Sequence, residues 1–256
     1  MVSISEVYIV REHGKSKLCA DVKGLEKEQT LWFAVKEEQE SMLCKHGGEC
    51  FVLGLLLIAM QSGQDLRYDG TLSKRFMHGV NEYLIPSMAA AREKYNRVSV
   101  RAREYGSGQH LSIRGVAMQF SNRGTFHAVM ETHRKDSLYP LTHLCAFCDE
   151  AENIEENRSC IEKTALEYDL KPVVLEHNLG QLYETKTKDG ESLLELAGAL
   201  ALGGGLSIYL YCSENALISK ELEQKETRNL DVILCSFAST DMMRIYLFDE
   251  KEELPC

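Results

Sequence analysis

Apolar positions along the chain fall into short runs of strand length, interleaved with longer stretches at helical spacing. Runs at 7–10, 18–22 and 30–35 open it, separated by His13-Gly14-Lys15 and Lys23-Gly24. Glycine at these breaks favours tight turns, so the three runs predict a small antiparallel meander. A charged connection at 36–44 has room for one or two helical turns. Gly47-Gly48 then interrupts the chain before 51–60, FVLGLLLIAM. A segment apolar on every side and this short is a buried helix and not a bilayer span. Residues 65–69 predict a short strand closed by Asp69-Gly70. Ser73 can cap a helix carrying Phe76, Met77, Val80, Leu84 and Ile85, which Pro86 should kink or split before it continues over 88–95. Over 98–105, Val98, Val100 and Ala102 alternate with Ser99, Arg101 and Arg103, the period of a half-buried strand.

Gly106-Ser107-Gly108 is the best junction, and beyond it strands and helices alternate. The strands are expected at 116–120, 141–147, 172–176, 206–211, 232–237 and 244–248. Helices are expected after residue 125, around Ile161, Ala165, Leu166 and Tyr168, and over 192–202, the last stopped by Gly203-Gly204-Gly205. This alternation indicates an α/β fold, a mostly parallel sheet with helices on both faces. The expected organisation is a small α+β N-terminal domain, 1–106, followed by a parallel-sheet domain, 107–256. Ligands of such sheets sit beyond the carboxyl ends of the strands, where the strand order reverses.

The composition removes some partners. A net charge of −10 over 256 residues leaves no basic excess to displace counterions from a nucleic acid. The local strip Arg97, Arg101, Arg103 and Arg114 still admits a small phosphate-bearing ligand. The opening residues lack the basic head and long apolar core of a secretory signal. The 9 cysteines, odd in number and scattered, suit a reducing cytoplasm better than a disulfide framework. A soluble cytoplasmic protein with no membrane partner is the expectation.

The sharpest chemistry lies at 111–133, LSIRGVAMQFSNRGTFHAVMETH. An apolar strand breaks into Ser121-Asn122-Arg123-Gly124-Thr125, and a helical face of Phe126, Val129, Met130 and His133 follows. Ser121 or Thr125 can cap that helix, and amides and dipole at such a start favour an anion. An ordinary strand-to-helix connection is the commoner outcome of so short a pattern. His143-Leu-Cys145-Ala-Phe-Cys148 has Cys-x-x-Cys spacing, which serves a zinc ion, a reactive thiol or simply two buried cysteines. With no second ligand pair in the chain, no metal site is assigned. Glu176-His177-Asn178 and Tyr211-Cys212-Ser213-Glu214 end strands and either face a ligand or turn into the next element. His127 and His133 read as surface or internally bonded residues.

Phe120-Ser121, the glycine-bearing turn and Phe126 together resemble the phosphate loop of the PP-loop ATP pyrophosphatases (adenine nucleotide alpha-hydrolase-like), whose signature is S-G-G-x-D-S. LWFAVKEEQ, LLIAMQSGQDLRYDGTLSKRF and NEYLIP are similar to an uncharacterised bacterial branch of that superfamily found in biosynthetic gene clusters. So are Leu141-Thr-His-Leu144, Val174-Leu-Glu-His-Asn178, Leu230-Asp-Val-Ile-Leu234 and Phe237-Ala-Ser-Thr240. The resemblance implies a Rossmann-like (HUP-type) sheet, with ATP and Mg2+ as its cofactors. The implied chemistry is adenylation of a carboxylate or carbonyl for amide or sulfur transfer onto a small-molecule or peptide substrate. Ser121, Asn122, Arg123, Gly124 and Thr125 would cup the phosphates, and Arg123, Cys145 and Cys148 would be the catalytic candidates. The turn departs from the signature, because Asn122 and Arg123 occupy the glycine places and the acidic residue is missing. The branch also continues past its sixth strand, whereas this chain stops at Cys256. A second expectation follows: a catalytically inactive pseudoenzyme that scaffolds a biosynthetic complex, its exposed surface covered by a partner subunit or a second copy. A third centres a thiol- or metal-dependent activity on Cys145 and Cys148.

Overall fold

The computed structural model describes residues 1–106, 114–120, 123–149, 154–183, 187–212 and 239–247. The meander is present as β2 (Tyr8–Glu12), β3 (Lys15–Lys23) and β4 (Gln29–Lys36), antiparallel throughout. A shorter strand precedes it, β1 (Val2–Ile4), antiparallel to β3 on one side and parallel to β5 (Leu66–Ser73) on the other. The 36–44 connection is a 3-10 turn, Glu37–Met42. Helix α1 (Glu49–Ser62) follows and is buried along almost its whole length, as an all-apolar helix must be.

Two expectations for this half need correction. The strand after α1 does not close at Asp69-Gly70 but runs on to Ser73, with a shift in register between Tyr68 and Thr71 against β6 (Val100–Gly106). Gly70 sits in that irregularity, where a Cβ would lie 2.8 Å from the Tyr68 ring and 2.9 Å from the Glu6 side chain. A glycine at a bulge thus mimics a turn signal. The helix beyond does begin under the Ser73 cap, whose Oγ accepts from the Phe76 amide at 3.3 Å, but it is broken into three. It runs as α2 (Lys74–Gly79), a π turn at Val80–Leu84 and α3 (Ile85–Ala91), and it ends at Ala91 instead of reaching Tyr95. Pro86 lacks an amide and crowds the preceding turn, and the wider turn absorbs both defects.

The second half alternates β7 (Val116–Gln119), α4 (Arg123–Thr132), β8 (His143–Asp149), α5 (Ile154–Glu167), β9 (Lys171–His177), α6 (Lys188–Ala201), β10 (Ile208–Tyr211) and β11 (Arg244–Leu247). The strand expected at 232–237 lies outside the described residues. In space the order is β9-β8-β7-β10-β11, all parallel. Val116, Met118, Ile208 and Leu210 pack with Phe126 and Val129 of α4 and Ile161 of α5. Ala117, Tyr209 and Tyr211 point the other way, into the core that holds α6 and α1. Both faces are covered, so the strands read as unbroken apolar runs.

The two halves share one sheet. β4 pairs antiparallel with β9 at Phe33↔His177 and Ala34↔Glu176. The Asn178 side chain extends this join, accepting from the Trp32 amide at 2.9 Å and donating to the Thr30 carbonyl at 3.0 Å. The described strands therefore form one mostly parallel sheet of eleven. A separate N-terminal domain finds no support: Val2, Phe51, Leu196 and Tyr209, from both sides of Gly106, belong to one apolar cluster. The sheet also curls. β5 and β11 stand far apart in the strand order, yet Ser73 Oγ donates to Asp241 Oδ2 at 3.1 Å, just ahead of β11. Among the described residues no helix is long and apolar enough to cross a membrane.

Candidate functional site

The strand and helix expected after residue 115 are present, but the helix starts early. α4 begins at Arg123, so Arg123, Gly124 and Thr125 form its first turn. Thr125 is a buried first-turn residue and not a cap, while Gly124 is exposed. Ser121 and Asn122, and the side chain of Arg123, lie outside the described residues. The Phe120 amide donates to the Cys145 carbonyl at 3.0 Å, continuing the β7–β8 ladder. An anion at this corner would face the first turn of α4. Phe126 closes the inner wall of this corner, edge-on to Phe120 at 5.7 Å and to Tyr168 at 4.7 Å.

Neighbouring strand ends complete the carboxyl edge. α4 and α5 cover one face while α6 crosses the other, so the chain reverses between β7 and β10 beside this turn. The Tyr211 hydroxyl at the end of β10 donates to Ser192 Oγ at 2.8 Å. Residues 213 and 214, named with Tyr211 and Cys212 in the sequence, lie outside the described residues.

Cys145 and Cys148 do not converge. Residues three apart on a strand face opposite sides, and Cys145 packs in the α1–α6 core while Cys148 packs under α4 and α5. Both are fully buried. Burial pushes the Cys145 thiol up to about 12, the opposite of what a nucleophile needs. His143 shares the Cys145 face, and burial lowers its pKa to about 4. Among the described residues no three His, Cys, Asp or Glu side chains are grouped to hold a metal.

Glu176 is occupied within the protein. It receives Lys15 Nζ at 2.5 Å and Arg158 at 3.3 Å, tying β3 and α5 to β9. His177 stacks edge-on against Phe33 at 6.0 Å, and Asn178 makes the join to β4 described above. His133 is buried with Nδ1 donating to the Tyr139 carbonyl at 2.7 Å, and His127 stands on the surface beside Tyr168. Gly203-Gly204-Gly205 ends α6 as expected and does more. The amides of Gly204 and Gly205 donate to the Met42 carbonyl, and a Cβ on Gly204 would strike the Leu43 carbonyl.

At the amino ends of β7, β10 and β11, beside the carboxyl ends of β5 and β6, lies a cavity of about 360 Å³, which sequence reasoning missed. Glu49, the first residue of α1, lines it although only 7% of its surface is exposed. Its Oε1 accepts from the Ser73 amide at 2.8 Å. Its carboxyl rests against Gly47, where a Cβ would collide with Oε2. Burial raises the Glu49 pKa, the Ser73 amide opposes this, and Asp241, bonded to the hydroxyl of the same Ser73, adds to the rise. Arg114, just before β7, stands at the exposed rim and donates to the Gly204 carbonyl. Leu72, Leu200 and Met243 supply apolar wall. With Gly106, the lining comes from six separated segments, so no motif contains it. One signal existed: a lone carboxylate at the head of a helix with no polar face.

The chain matches no family model, no curated protein and no solved structure.

Proposed function

We propose that the parallel half is a Rossmann-like unit that binds ATP as a divergent PP-loop-type protein. The observation that supports this is the strand order. In chain order the five strands stand 3-2-1-4-5, with the turn after the central strand β7 at the reversal, the crevice where doubly wound sheets take nucleotides. The first-turn amides of α4 would meet the phosphate oxygens, and exposed Gly124 would let them come close. In the active version a carboxylate or carbonyl oxygen of a small-molecule or peptide substrate attacks the α-phosphorus. Pyrophosphate leaves, and an amine or sulfur nucleophile then displaces AMP. Magnesium does not fit this turn, since residues 119–125 read QFSNRGT with no carboxylate.

Burial of both thiols on opposite faces favours a second reading, a nucleotide-binding pseudoenzyme that scaffolds a biosynthetic complex with a partner subunit or a second copy. Titration calorimetry with ATP, with and without magnesium, tests the shared part; heat that persists without the metal is expected. Gly124→Asp should abolish that heat without lowering the melting temperature, because an acid suits a helix start but repels phosphate. No heat at millimolar nucleotide would overturn both readings. Pyrophosphate release with a supplied acceptor would select the enzyme over the pseudoenzyme.

A further inference from the structure

We draw no further inference here: the strongest candidate, the face of β2, β3 and β4 turned away from the core, where Tyr8, Cys19 and Trp32 form one cross-strand row, carries nothing, because its Lys17 is already paired with Glu12 and nothing in the structure shows what covers it.

Discussion

The two edges of the parallel strands treat their polar groups in opposite ways. At the carboxyl edge the protein answers itself: Glu176 is held by Lys15 and Arg158, Asn178 by the backbone of β4, and Phe126 fills the inner wall of the turn. At the amino edge a buried carboxyl faces an open volume, with a second carboxylate near it and an arginine at the rim. The difference teaches where to look. In this fold the carboxyl ends of β7 to β9 are largely internally bonded, while a buried carboxyl held by the Ser73 amide lines an open volume at the amino ends of β7 and β11.

That contrast can be broken or sharpened by experiment. Acid should reach the amino edge first. His143 opens β8 there with its folded pKa lowered to about 4 from 6.5. Below pH 6.5 the unfolded chain takes up a proton that the folded one refuses, so stability falls as pH drops towards 4, by up to about 3 kcal/mol. Urea midpoints across this range measure the fall, and His143→Asn should flatten it. Next, Glu176→Ala at the carboxyl edge strands Lys15, whose side chain is 35% exposed, and leaves Arg158, 19% exposed, paired with Glu155, costing about 2 kcal/mol once solvent screening is allowed for. A loss below half of that in urea unfolding would mean the carboxyl edge is less locked than it looks. Gly204→Ala should cost about 1.5 kcal/mol by the same measurement, because its Cβ meets backbone oxygen of the 3-10 turn. Ser73→Ala removes the α2 cap and the hydroxyl bond to Asp241, for about 1 kcal/mol. The smallest energetic effect is chemical: iodoacetamide should label exposed Cys160 in the native protein and spare Cys145 and Cys148 until unfolding, as mass spectrometry of the peptides would show.

Elements with local signals are legible in the sequence. The meander, the all-apolar α1, the Ser73 cap and the disruption at Pro86 each follow from residues next to one another. The face of α4 is legible for the same reason, since Phe126, Val129 and His133 recur at helical spacing and are all buried. β1 is too short to carry a period, and the glycine of a bulge in β5 looks the same in sequence as the glycine of a turn. The pairing of β4 with β9 has no local mark, and it is what makes one sheet where composition suggested a junction. Spacing alone also misleads for Cys145 and Cys148. The same separation that brings two sulfurs together in a loop drives them to opposite faces of a strand. The cavity was invisible because Glu49, Ser73, Arg114 and Asp241 meet only after the sheet has curled.

Helix α1 has one more consequence, for the order in which the chain can mature. Its covering partner α6 lies more than a hundred residues downstream, so a nascent chain emerging from the ribosome presents a naked greasy cylinder until most of the polypeptide has been synthesised. Late closure of such distant contacts is slow and exposed to misassembly. Chains cut near residue 106 should therefore clump and fail to fold, and chaperone dependence during translation should end only when α6 has cleared the exit tunnel.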